Sequence, residues 1–281
     1  MASQQIAANL SLINWTVLVA LAIGSFGVVV FARLRTPATK GFLAFTAACA
    51  IGWGILAYLS DTALPAGPIG SGSPVIADPA FDVPRRVALQ VFLVLALATT
   101  LVLARGGRAL IPGIAGCVAG LAVLLLGALT WGGSPGGVAG LGLQFIVLTL
   151  ATGGVFAAMI LGHWYLVTPK LPEAPLVMVS RRLLWIVALQ VALFAGWVGF
   201  GIGPGATGGP FAALFGSWAL FVWLRLIVGL VFPLVISWAA LQTARSRSME
   251  SATGLLYINV GSIAAGTILA AGLYFGAGLL V

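Results

Sequence analysis

The sequence predicts an all-α integral membrane protein with eight transmembrane helices and both termini outside the cytoplasm. Composition, the length of the apolar runs and the spacing of the basic residues each point to it. Hydrophobic residues make up 61% of the 281 positions and charged residues 6%, with a mean hydropathy of +1.17. A soluble chain would carry about a quarter charged residues. Five acidic and thirteen basic side chains cannot cover a globule of this length, so lipid must solvate most of the surface.

The runs, in order, are 11–33, 41–60, 86–104, 109–131, 141–167, 182–202, 216–243 and 254–280. Each reaches the roughly twenty residues needed to cross a hydrocarbon core. They are rich in Leu, Ala and Val and show none of the strict alternation of barrel strands. Helices are therefore expected throughout. The first run is preceded by Met1 to Leu12, which contains no Lys or Arg. It lacks the charged start of a cleavable signal peptide and is read as a retained helix.

Orientation follows from the loops. Arg33, Arg35 and Lys40 lie between the first two runs, Arg105 and Arg108 between the third and fourth. Lys170, Arg181 and Arg182 lie between the fifth and sixth, and Arg245 and Arg247 between the seventh and eighth. The loops after the fourth and sixth runs carry no charge. Basic loops on alternate sides are expected to face the cytoplasm. Residues 61–85 dissent mildly: placed outside, they carry Arg85, with Arg86 just beyond, beside Asp61, Asp78 and Asp82. Aromatic belts agree, with Trp15, Trp131, Trp197 and Trp218 at outer helix ends and Trp164, Trp185 and Trp238 at inner ones.

The connections 62–84 and 201–216 are rich in Pro and Gly and interrupt the helices. Each follows the second helix of a set of four, which suggests halves 1–132 and 133–281 within a single polytopic domain. Gly116 with Gly120, Gly272 with Gly276, and the stripe Gly154, Ala158, Gly162 are small-residue faces suited to helix contact. Cys49 and Cys117 lie inside apolar runs and read as small hydrophobes.

The net charge of +8 does not indicate nucleic acid, because the basic residues are dispersed between apolar runs. No clustered metal site is visible, and no phosphate-binding loop, HExxH or GxSxG occurs. Neither Lys40 nor Lys170 lies mid-helix, where a retinal Schiff base would need one. No Asp or Glu falls in the centre of a run, which counts against a proton-coupled pump.

Polar groups inside a bilayer are costly, so each is a candidate site residue. His163, the only histidine, lies near the inner end of the fifth helix. It could bond a quinone carbonyl or ligate haem iron, or it could be an interfacial residue bonded to a headgroup. Tyr165 lies on a different side of that helix and would assist from an adjacent wall. Arg225 sits mid-span in the seventh helix, where translocon scales put its cost at about 2.5–3.5 kcal/mol. It could fork onto an anion or carbonyl, or bond carbonyls freed by Pro233. Trp218, Gly229 and Phe232 are placed on its face. Gln190 shares a face with Trp197, and both join the ligand-binding candidates. Gln90, Gln144 and Asn259 read as interhelical glue. Arg85, Arg86, Arg181 and Arg182 read as headgroup contacts at helix starts.

The reading that ranks first is a multi-pass subunit of a larger respiratory or photosynthetic electron-transfer assembly in the bacterial inner membrane. It would bind quinone, or contact haem, near the cytoplasmic face, with no catalytic activity of its own. Its partners would be the lipid bilayer and other membrane subunits. A small-molecule or lipid transporter or channel without buried carboxylates ranks second, and a membrane enzyme third.

Overall fold

A computed structural model describes residues 2–64, 73–168, 171–206 and 208–281. Lys170, one of the basic loop residues, and the Pro/Gly-rich stretch 65–72 lie outside the described residues. The protein is a helical multi-pass membrane protein: eight helices are long and apolar enough to cross a bilayer, and there is no strand among the described residues.

A short helix α1 (Ala2–Ala8) precedes the first span, α2 (Leu10–Arg35). Then come α3 (Lys40–Thr62), α4 (Asp82–Ala104) and α5 (Leu110–Trp131). The fifth and sixth spans are α6 (Pro135–Val167) and α7 (Ala174–Phe200). Both start earlier than their apolar runs, because proline in the first turn suits a position that has no helical N–H bond to lose. Ser134 caps α6 by accepting from the Gly137 N–H at 3.2 Å. The last span is α10 (Met249–Ala277).

The seventh span differs from the single helix that hydropathy predicts. It consists of α8 (Ala219–Leu226), a π-turn (Ile227–Val231) and α9 (Phe232–Arg245). Pro233 has no N–H to offer the carbonyl four residues back, which is Gly229, and the ladder widens there. The same stretch presses on α10: a Cβ added to Gly229 would lie 2.6 Å from the Gly266 Cα.

Each set of four consecutive spans closes on itself, α2 through α5 in one ring and α6, α7, α8–α9 and α10 in the other. The rings meet where α2 lies along α6. At that crossing a Cβ on Gly24 would meet the Thr149 carbonyl oxygen at 2.0 Å, and one on Gly153 would meet the Ser25 nitrogen at 2.2 Å. Two bare backbones thus touch, as close packing in lipid favours. The small-residue faces marked in sequence serve mostly to seat side chains: Gly116 faces Phe26, Gly120 faces Ile23, and Gly162 faces Thr253.

Exposed Ala80 and exposed Ser246 lie in connections at opposite ends of the bundle. With the basic loops cytoplasmic, Ala80→Cys is expected to react with a membrane-impermeant maleimide in intact cells, and Ser246→Cys only after lysis. The reverse pattern would invert the orientation.

Candidate functional site

Four polar constellations stand out, and the five residues chosen from sequence divide among three of them. At the end with the basic loops, His163 is exposed on the outer wall of α6. Its Nδ1 lies 3.4 Å from the Tyr257 hydroxyl of α10, itself 49% exposed. His163 is four residues from the end of α6, about 6 Å of helix rise, a depth near the boundary between headgroups and hydrocarbon. Tyr165 points elsewhere. It is buried and donates its hydroxyl to the Pro172 carbonyl. It also borders a cavity of about 370 Å³ with Leu171, Arg247 and Glu250, where Arg247 Nε lies 3.3 Å from Glu173. His163 and Tyr165 therefore share an end of the bundle and not a pocket.

Mid-span, Arg225 and Gln190 do meet. Arg225 is 2% exposed, and its Nη2 donates to Gln190 Oε1 at 2.9 Å. Gln190 Nε2 in turn donates to the Val147 carbonyl at 2.9 Å, so the pair ties α8 to α7 and α6. Arg225 Nη1 donates at 3.0 Å to the Gly229 carbonyl, the acceptor that Pro233 leaves free. The guanidinium fits because Gly266 passes beneath it, where an added Cβ would lie 2.7 Å from Nη1. No carboxylate lies within 4 Å of Arg225 among the described residues, and its Nε is buried without a partner. The structural role expected through Pro233 is present, and the cation is left uncompensated. Phe232, placed on the same face by sequence, is exposed instead, because the π-turn shifts the angular register beyond it.

At the opposite end, Trp197 is 8% exposed and lines a cavity of about 230 Å³ with Trp218, Ser217 and glycines of the α7–α8 loop. All five expected ligand residues thus lie in one ring, with Trp197 at one end and Gln190 and Arg225 deeper. His163 and Tyr165 are at its other end.

The fourth constellation was not foreseen as one. Asp61 at the end of α3 is 0% exposed and Arg85 near the start of α4 is 1% exposed. The Asp61 carboxylate accepts from Trp15 Nε1 at 2.8 Å, from Arg85 Nε at 2.8 Å and Nη2 at 3.3 Å, and from Arg86 Nε at 2.7 Å. Arg85 Nη1 also donates to Asp82 at 2.8 Å and to Thr130 at 2.9 Å. Its guanidinium stacks 4.5 Å from the centroid of Trp131, a favourable cation–π distance. Two acids and two arginines balance, and the network joins all four helices of the first ring.

This corrects three expectations. Arg85 is not a headgroup contact, because a buried carboxylate and an indole face replace water around it. Arg86 is half-buried on the same carboxylate, whereas Arg181 and Arg182 are exposed as expected. Trp15 and Trp131 are core residues, not belt residues. The sequence carried a signal for this: an acid closing one apolar run and an arginine pair opening the next bring opposite charges to one end.

Of the polar residues read as glue, Gln90 donates to Tyr58 at 2.9 Å and Asn259 to Ser237 at 2.8 Å. Gln144 departs from that reading, since its Oε1 is buried without a partner. Among the described residues no three His, Cys, Asp or Glu side chains group as a metal site.

No family model, curated protein or solved structure matches this chain.

Proposed function

We propose that the protein is a subunit of a larger electron-transfer assembly in the bacterial inner membrane and holds a quinone headgroup at the cytoplasmic side. The observation that carries this reading is the His163–Tyr257 pair. Two hydrogen-bonding side chains face outward from α6 and α10 at headgroup depth, and each has only the other, at 3.4 Å, among the described residues. So long a contact is weak, and both groups can turn to a better acceptor. A quinone carbonyl reached from the bilayer is such an acceptor, with Tyr257 O–H donating and His163 donating or accepting according to its tautomer. Haem suits this chain less well. Met159, one turn deeper on the histidine's side, is partly buried and packs against the core, and an outward-facing ring offers one ligand only.

The test is quinone content. Protein purified in mild detergent is expected to carry quinone, and His163→Ala and Tyr257→Phe are expected to lower its affinity about tenfold and severalfold, on the scale of one hydrogen bond each. If quinone content and association with partner subunits both match the parent in His163→Ala, the reading fails.

Transport of a small molecule is a second reading, favoured by the buried, uncompensated Arg225 beside the π-turn of the seventh span. An ionisable residue buried at mid-membrane depth is a recurring mark of a substrate or ion pathway.

A further inference from the structure

We propose that the seam between the two rings holds one anionic glycerophospholipid of the cytoplasmic leaflet, with an acyl chain in a cleft over α6 and its phosphate on Arg182. This does not rest on the quinone reading. His163 lies nine residues beyond Gly154, half a revolution away at about 100° per residue, so it faces the opposite side of α6.

The cleft exists because α2 and α7 both pack on α6 and scarcely touch each other. About 250 Å³ is left between them. Glycine keeps it open: a Cβ on Gly27 of α2 would meet nothing within 4 Å, and one on Gly154 of α6 only an ordinary contact at 3.8 Å. Leu150, which lines the same cleft, is 42% exposed, so a lipid can enter sideways from the bilayer. Apart from Arg182, no polar side chain lines the cleft.

Its dimensions suit one chain. Along α2 the lining runs from Gly24 to Phe31, seven residues or about 10 Å of helix. That is about two-thirds of the hydrocarbon depth of one leaflet, roughly 15 Å. Phe31 is four residues from the end of α2 that carries the basic loop, so the cleft opens at that end and reaches toward the bilayer centre. Arg182 lies on the α7 wall, eight residues past the helix start. Helical side chains lean toward the helix N-terminus, which directs this guanidinium to the mouth of the cleft, at headgroup level.

Charge selects the occupant. Arg182 is exposed and has no ion pair or hydrogen bond among the described residues. Arg35, at the same end of α2, and Arg181 are exposed beside no acid of their own. Glu173, the one acid in the α6–α7 connection, is taken by Arg247 at 3.3 Å. A guanidinium fork matches a phosphate, and the surplus positive charge disfavours the ammonium of a zwitterionic headgroup. Basic pockets between helices on the cytoplasmic side are suited to anionic lipids for this reason. A lipid seated here touches α2 of the first ring and α7 of the second, and so fastens the rings together.

The experiment uses the full-length protein, delipidated in mild detergent and titrated at constant ionic strength with dioleoyl phosphatidylglycerol, dioleoyl phosphatidylcholine or oleate. Native mass spectrometry reads bound lipid, and circular dichroism reads the melting temperature. Phosphatidylglycerol is expected to be retained as one saturable adduct that raises the melting temperature, and phosphatidylcholine to do neither. Arg182→Gln is expected to weaken phosphatidylglycerol about fivefold, the scale of one basic side chain at an anionic headgroup. Gly27→Leu puts a side chain into open space and is expected to weaken it severalfold while the protein folds as before. Arg181→Gln, at a residue that does not line the cleft, should leave binding unchanged. An equal loss in Arg181→Gln would reduce the effect to general surface attraction and overturn the proposal. Equal retention of phosphatidylcholine, or unchanged binding in Gly27→Leu, overturns it too. Oleate binding as well as phosphatidylglycerol would assign the cleft to a free fatty acid instead.

Discussion

Asp61→Ala is expected to destabilise the first ring by about 3–5 kcal/mol, the usual cost of removing one partner of a buried ion pair. The expectation is specific to this carboxylate. It accepts from Trp15, Arg85 and Arg86 at once, and its loss leaves Arg85, 1% exposed, with Asp82 as its only anion. Thermal unfolding in detergent followed by circular dichroism measures the effect. Asp61→Asn separates charge from shape: it keeps hydrogen-bonding capacity and removes the charge, and should recover only part of the loss. The double variant Asp61→Leu/Arg85→Met removes both buried charges and should be more stable than Asp61→Ala, since an apolar replacement of a buried pair is often close to neutral. A melting temperature for Asp61→Ala within error of the parent would show that the pair is energetically idle.

Gln190→Leu is the second substitution with a large expected effect. It deletes an acceptor from a guanidinium already short of partners and removes the side-chain donor to the Val147 carbonyl. A cost of about 1–3 kcal/mol or more is expected, because the group stranded is charged. Gln190→Glu should cost less. A carboxylate at that position lies 2.9 Å from Nη2 in the present geometry and supplies the missing counter-ion, while its second oxygen meets the Val147 carbonyl with no proton to donate, so the melting temperature should lie above that of Gln190→Leu. Loss of stability in Gln190→Glu as large as in Gln190→Leu would contradict this account of Arg225.

The number and places of the spans were legible because hydropathy over twenty residues is a bulk property that tertiary packing does not alter. Local deviations were not. The π-turn at 227–231 depends on Pro233 acting together with the close approach of Gly266, a residue on another helix. Arg225 was singled out correctly as a buried group because its cost in lipid is independent of its neighbours, and the free Gly229 carbonyl followed from the position of Pro233. Gln190 was chosen for its shared face with Trp197, and only the fold shows that its partner is Arg225. Arg85 was misread, and its pairing with Asp61 was unforeseen, because both sit at the ends of apolar runs. One-dimensional position there cannot distinguish a side chain turned toward headgroups from one turned inward against Trp15 and Trp131. His163 was placed near the correct end of its helix, while its outward direction depends on how α6 packs against α10.

The contact of Gly24 with Gly153 has a consequence for how the chain is made. These positions are about 130 residues apart, so the ribosome needs on the order of ten seconds after α2 emerges to deliver its partner. During that interval α2 sits beside α3, α4 and α5 with a bare strip of backbone and no helix to fill it. The first ring must therefore persist as a temporary assembly in the bilayer. The charged network among Asp61, Asp82, Arg85 and Arg86 lies wholly within the part already synthesised and can close before α6 arrives. Its first duty would then fall during biogenesis, holding the groove in shape until α6 drops into it.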